Sequence, residues 1–389
     1  MQVFVIMASK GEQPQADTSL KELAELLTAG LGAQCMIWQT SPAAAELEER
    51  VMDWLRQMTG LPATFTGVIQ DSASSSTLVA ILAARDRARR AGGRLDDLVA
   101  YTSVDAHSSV EKGLRVAGLL SEQLRAVPVD AARAMDPAAL AGLIADDRAA
   151  GRVPFVVVAT VGTTSTHGID PLAAIADVAG PAGAWLHVDA AHAGVAALVP
   201  EHRWIHDGLD RADSYVTDPH KWLFTAMDCS VLWVADAAPL VDSLSITPEY
   251  LRNTASGSGA VVDYRDWQVP LGRRFRALKL WAVLRRYGAS GLRDVVGRHV
   301  DLAQDLAGRL RADGRFDVPL PVPLNLVCFA HRDGDGATER LLADLNATGR
   351  VGLSHTRIDD RFLIRVSVGQ TGTTAAHLDD LWTLIDRHA

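Results

Sequence analysis

The sequence predicts a doubly wound α/β domain on a mainly parallel sheet, helices on both faces, followed by a smaller C-terminal α/β domain. Three observations carry this expectation. Six short apolar runs mostly lack polar alternation, as strands covered on both faces do. Helical segments stand between most of them, and strand alternating with helix is the pattern of a parallel sheet. A polar stretch at 242–265 then separates this series from a long helix and a second, shorter set of elements.

The chain opens with helices. Residues 19–30 carry a capping box, Ser19 with Glu22, then Leu20, Leu23, Leu26 and Leu27, and close on Gly30. Ser41-Pro42 opens a second helix, with Leu47, Val51, Trp54, Leu55 and Met58 on one side and Gly60 at its end. The apolar runs follow at 67–70, 98–103, 155–160, 185–189, 214–217 and 230–234, with helices expected at 77–91, 109–117, 137–150 and 171–179. Ser, Thr, Asn and Gly are frequent from 243 to 259, with Tyr250 among them, so a mobile surface loop is expected there. A long helix at 271–286 leads to strands at 318–330 and 362–368 and helices at 336–347 and 374–387. The division expected is a short N-terminal segment 1–30, a large domain 31–275 and a small domain 276–389.

Composition narrows the function. With 389 residues, 48% hydrophobic and 22% charged, the chain can bury a large core and is not a disordered one. A formal charge of -9 gives no overall attraction to nucleic acid or anionic membrane. The arginines at 85–90 and 273–276 read as solvated helix faces. No segment approaches the ~20 apolar residues of a membrane span. Three cysteines, Cys35, Cys229 and Cys328, have no metal-type spacing, so the expected compartment is the cytoplasm.

In an open α/β sheet ligands sit at the carboxyl ends of strands, so the polar residues just after each run are the candidates. Lys221, in Thr217-Asp218-Pro219-His220-Lys221-Trp222, follows one run and lies 32 positions after Asp189, which ends another. An amine that joins an aldehyde and a carboxylate that keeps a ring nitrogen protonated are what pyridoxal phosphate needs. After 67–70 comes Asp71-Ser72-Ala73-Ser74-Ser75-Ser76-Thr77, where helix-end amides attract a phosphate; a plain Ser cap is the alternative. His107 follows 98–103 and can lie over a pyridine ring or be a structural histidine. Thr164 follows 155–160, where an ordinary Gly-Thr turn is the alternative. His220 can donate to the phosphate or order Lys221. A metal site from His187, Asp189 and His192 is disfavoured: His187 and Asp189 share a strand face, but His192 lies beyond it.

These positions agree in order, and the chain resembles the group II pyridoxal-phosphate-dependent amino-acid decarboxylases, most closely the aromatic-L-amino-acid branch. The resemblance runs from about Gly30 to Ala389. It is carried by Thr40-Ser41-Pro42-Ala43-Ala44-Ala45-Glu46-Leu47-Glu48, Ser72-Ala73-Ser74, Val188-Asp189-Ala190-Ala191, Asp218-Pro219-His220-Lys221-Trp222 and Asp263-Tyr264-Arg265-Asp266-Trp267-Gln268-Val269-Pro270-Leu271-Gly272-Arg273-Arg274-Phe275.

The resemblance implies the fold type I of pyridoxal-phosphate enzymes, a homodimer, and decarboxylation of an aromatic L-amino acid to its amine. It implies Lys221 as the Schiff-base lysine, Asp189 at the pyridine nitrogen, His107 stacked on the ring and Thr164 near its oxygen substituent. It places Ser72, Ala73, Ser74 and His220 around the phosphate, with Ala191 also at the cofactor. Tyr250 matches the loop tyrosine that protonates the product carbon, where aldehyde-forming relatives carry Phe. Two departures stand out. The family's longer N-terminal segment, which intertwines in the dimer, is shortened here, so a non-catalytic homologue is one alternative; aldehyde synthesis, or another amino acid as substrate, is the other. Asp218 stands where many relatives carry Asn. Arg365 stays outside the site set, as either a carboxylate contact or a structural residue.

Overall fold

The computed structural model describes residues 17–246 and 259–389, which form two compact units. The larger comprises residues 20–162, 168–246 and 259–289; the smaller comprises 17–19, 163–167 and 290–389.

In the larger unit α1 (Asp17–Leu31), from Leu20 on, and α2 (Pro42–Thr59) precede β1 (Thr66–Gln70). Pro42 starts α2, and Gly60 ends it in the left-handed conformation. Then follow α3 (Ala73–Arg90), β2 (Leu98–Ser103), α4 (Ser109–Val116), β3 (Leu124–Val127), α5 (Pro137–Ala149), β4 (Val153–Thr160), α6 (Leu172–Ala182) and β5 (Trp185–Asp189). A run of short 3-10 turns from Ala193 to Arg211 leads to β6 (Ser214–Thr217), α7 (Pro219–Trp222), β7 (Ser230–Val234) and α8 (Ala238–Leu244).

The sheet order is β1-β7-β6-β5-β4-β2-β3. Neighbours from β3 through β6 are parallel, whereas β7 is antiparallel to both β6 and β1. Two reversals cancel, so β1 runs in the direction of β2 to β6 and all six end at the same sheet edge. Val68, Val79, Ile81, Ala100, Phe155, Val158, Val216 and Leu232 are among the buried side chains of the core. Gly67 is required within β1, because a Cβ there would stand 2.2 Å from Met52 Cε and 2.6 Å from Trp233.

The helix α9 (Arg276–Ala312) is interrupted at Gly288, whose φ of 64° lies in the left-handed region. In the smaller unit β8 (Phe316–Asp317), β9 (Leu326–His331), α10 (Asp335–Ala347), β10 (Ser354–Ile358), β11 (Arg361–Ser367) and α11 (Ala375–His388) follow. Its antiparallel sheet, ordered β10-β11-β9-β8, shares a core with the helices through Leu306, Phe316, Phe329, Leu341, Ile364 and Leu381.

Several expectations are corrected. The helix expected at 77–91 begins at Ala73, because Ser72 caps it. The helix expected at 271–286 begins only at Arg276 and continues to Ala312. Of the strand expected at 318–330 only the last part forms, as β9 (Leu326–His331); 318–325 is irregular, and the two-residue β8 lies just before the expected range. Of the polar stretch 242–265, α8 reaches Leu244 and a 3-10 turn covers Tyr264–Trp267, while residues 247–258, which make up most of the expected loop, lie outside the described residues. Of the arginines expected on solvated faces, Arg273 is buried against Glu48 and Arg276 is held by Asp228. Three edge strands, β3, β8 and β10, escaped the sequence reading, because β8 is only two residues long and the other two mix charged or polar residues into a short run. Among the described residues no helix is long and apolar enough to cross a membrane.

Candidate active site

The carboxyl ends of β1, β2, β5 and β6 form one edge of the larger unit, and Ser72, Ala73, Ser74, His107, Asp189, Ala191, His220 and Lys221 lie at these ends or in the residues that follow them. Lys221 lies in α7, a single helical turn begun by Pro219 immediately after β6. Its backbone N–H donates to Asp218 O at 2.9 Å, and its ammonium Nζ stands 2.9 Å from Asp218 Oδ2. Trp222 is buried on the same turn and stacks on His192, with ring centroids 5.2 Å apart.

Asp189 ends β5 and is paired in register with Thr160 on one side and Val216 on the other. Its Oδ1 accepts the Ala191 N–H at 3.0 Å, and the Ala191 carbonyl accepts from Asp218 N at 2.9 Å. One backbone bond therefore ties the turn after Asp189 to the turn that bears Lys221. Close packing makes this possible: a Cβ on Gly194 would stand 2.3 Å from Tyr215 Oη and 2.8 Å from Thr217 Oγ1. Asp189 is buried, and its charge is felt nearby. Burial pushes His187 down to about 4 with Asp189 pulling the other way, while burial and then Asp189 raise the Tyr215 phenol.

His220 accepts the Cys229 N–H on Nδ1 at 2.9 Å, so its neutral ring carries the hydrogen on Nε2, which lies 3.5 Å from Asp218 Oδ2. Burial lowers its pKa, opposed by the Asp218 charge. Ser72 is the N-cap of α3, accepting from Ser75 N at 3.3 Å. Ala73 and Ser74 are thus the first helical residues, with N–H groups that have no partner inside the helix. His107 is exposed in the turn after β2, its Nδ1 accepting from Ser109 N at 3.2 Å. That turn is braced by Arg133, whose Nε donates to Asp105 Oδ2 at 2.8 Å and whose Nη2 donates to Oδ1 at 2.5 Å.

Thr164 belongs to the smaller unit. Its carbonyl accepts from Arg365 Nη2, and the neighbouring Ser165 carbonyl accepts from Arg365 Nε at 3.1 Å. Arg365 also donates to Ser354 Oγ at 2.8 Å, so its guanidinium is committed to structure. Tyr250 lies outside the described residues. Among the described residues no three His, Cys, Asp or Glu side chains gather as a metal site.

Sequence reasoning missed part of this edge. The last residues of β2, β4 and β6, Ser103, Thr160 and Thr217, bring buried hydroxyls that have no hydrogen-bond partner among the described residues. Asp218 was visible as a residue, but its pairing with Lys221 follows from a helical turn where the sequence reads only a strand end. The i,i+3 spacing was the available signal.

An amine, a buried carboxylate, an exposed imidazole and a helix N-terminus at one edge fit a charged pyridine ring that bears an aldehyde and a phosphate. Comparison with known proteins agrees. Residues 10–332 match the pyridoxal-dependent decarboxylase conserved domain. The chain is 41% identical to tryptophan decarboxylase 2 of Oryza sativa subsp. japonica, covering 96% of this chain and 78% of the relative. It is also 41% identical to phenylacetaldehyde synthase of Arabidopsis thaliana, covering 94% and 78%. The solved structure of Oryza sativa TDC with PLP and tryptamine matches with a TM-score of 0.93 at 39% identity, covering 96% of this chain and 82% of that one. The chain belongs to the group II pyridoxal-phosphate-dependent decarboxylases, carboxy-lyases of amino-acid metabolism, and within them resembles the aromatic-amino-acid enzymes.

Proposed function

We propose that this protein decarboxylates an aromatic L-amino acid, of the tyrosine, DOPA or tryptophan type, to the corresponding amine and carbon dioxide. The observation that carries the reading is the tie between the Asp189 and Lys221 turns through Ala191 and Asp218, which sets a carboxylate and an amine at one sheet edge. When bound, pyridoxal phosphate supplies an electron sink for negative charge developing at the substrate α-carbon.

The rest is work for this chain's own side chains. Lys221 anchors the cofactor through its amine. Asp189, buried at the end of β5, would hold a proton on the ring nitrogen, since an opposite charge at contact favours the protonated ring. His107 offers an open imidazole face for stacking over the ring. The Ala73 and Ser74 amides, the Ser72 cap and His220 Nε2–H bind the phosphate. Ala191 lines the cofactor through its backbone. Tyr250 delivers a proton to the substrate carbon once carbon dioxide has left.

A homodimer is part of the reading. Leu23, Leu26, Leu27 and Leu31 are each more than half exposed at helical spacing on α1, an apolar face suited to a second copy. Cys35, Cys229 and Cys328 are free and buried, which supports a cytoplasmic enzyme.

Aldehyde formation is the second reading, favoured by the similarity to a phenylacetaldehyde synthase. The deciding experiment is a substrate panel with amine, aldehyde and hydrogen peroxide measured together. Amine with carbon dioxide from one aromatic amino acid is the expected result. Aldehyde with peroxide, or turnover of a non-aromatic amino acid alone, would overturn it.

A further inference from the structure

We propose that Asp218 is a positioning residue for Lys221: in the cofactor-free chain its carboxylate holds the Lys221 amine at a fixed place beyond β6. The inference rests on Lys221 being the cofactor lysine.

Asp218 is almost wholly buried, at 1% exposure, whereas the Lys221 side chain keeps 26%. Its Oδ2 lies 2.9 Å from Lys221 Nζ and 3.5 Å from His220 Nε2. Its Oδ1 accepts no hydrogen bond among the described residues. A buried carboxylate is stable only when cations or donors compensate for lost water. His220 is held neutral by burial and has Nδ1 committed to Cys229 N–H, so it contributes a dipole rather than a full charge. Lys221 is the counter-charge. The i,i+3 geometry of α7 brings the two together, and the Asp218 N–H to Ala191 bond fixes the carboxylate's backbone.

An amine held against a buried carboxylate is less open to attack on electrophiles than one that moves freely in solvent. The full chain, freed of cofactor with hydroxylamine, is therefore labelled with N-hydroxysuccinimide acetate, and acetylation is read by peptide mass spectrometry. Lys112, which is exposed, serves as the internal reference. The Lys221 to Lys112 labelling ratio is expected to rise about tenfold in Asp218→Asn, the factor that corresponds to ~1.4 kcal/mol of pairing. An unchanged or lower ratio overturns the proposal.

A second measurement holds if that variant fails to fold. In the cofactor-free Lys221→Met background the carboxylate is buried without its cation, so adding Asp218→Asn is expected to raise the urea midpoint. A lower midpoint means that Asp218 serves the fold by itself, and the proposal falls. Borohydride reduction of wild-type protein with pyridoxal phosphate locates the cofactor lysine separately. Label on another lysine refutes the cofactor assignment, whereas the two Asp218 measurements still decide the ion pair.

Discussion

Arg273 and Glu48 form a buried ion pair that takes the place of a neighbouring strand at the edge of the main sheet. Arg273 Nη2 donates to Glu48 Oε1 at 2.7 Å and Nη1 donates to Oε2 at 3.0 Å. The same two side chains satisfy both backbone groups of Ile69: its N–H donates to Glu48 Oε1 at 2.8 Å and its carbonyl accepts from Arg273 Nη2 at 2.8 Å. Since β1 has a strand partner on one side only among the described residues, the pair closes its open edge just ahead of the Ser72 cap.

Removing one partner leaves the other charge buried, so Arg273→Met or Glu48→Gln is expected to cost about 3–5 kcal/mol. Replacing both should recover part of that loss. Urea denaturation of the two single variants and the double variant checks the order.

Cofactor retention is the clearest test of the site. Lys221→Ala is expected to yield no cofactor covalently fixed by borohydride, and Asp189→Asn to lower kcat on the order of 10²–10³ while retaining the label, as for loss of an electrostatic stabiliser. Absorbance, reductive trapping and single-turnover rates separate the two effects.

Tyr250 governs the product in the proposed reaction. Tyr250→Phe is expected to divert turnover from amine toward aldehyde with hydrogen peroxide. Coupled assays of both products check this, and a variant still making amine alone would remove Tyr250 from the proton step.

Acid should weaken the fold through His187. Its ring is wholly buried between Thr77 Oγ1 and Ser214 Oγ, and burial lowers its pKa from 6.5 to about 4. The folded value lies below the unfolded one, so the contribution is complete above pH 6.5 and is lost as pH falls toward about 4. The loss attributable to this ring is on the order of 3 kcal/mol. Stability measured from pH 7 to pH 4 should fall less steeply in His187→Gln than in wild type.

The sequence by itself determined the parallel core and the order of its candidates. Strands covered on both faces must be continuously apolar, so 155–160, 185–189 and 230–234 are legible without a partner in view. Polar residues just after such runs must fall at the carboxyl edge, which is why Lys221, Asp189, His107 and Ser72 could be named together. Tertiary structure alone decided which charges are buried. Arg273 sits in an arginine-rich stretch that looks solvated, yet Glu48, 225 positions away, holds it inside. It also decided the antiparallel placement of β7, the assignment of Thr163–His167 to the smaller unit and the pairing of Asp218 with Lys221. Periodicity reports how a segment faces a core, whereas pairing a buried charge depends on a partner brought close only when the chain folds.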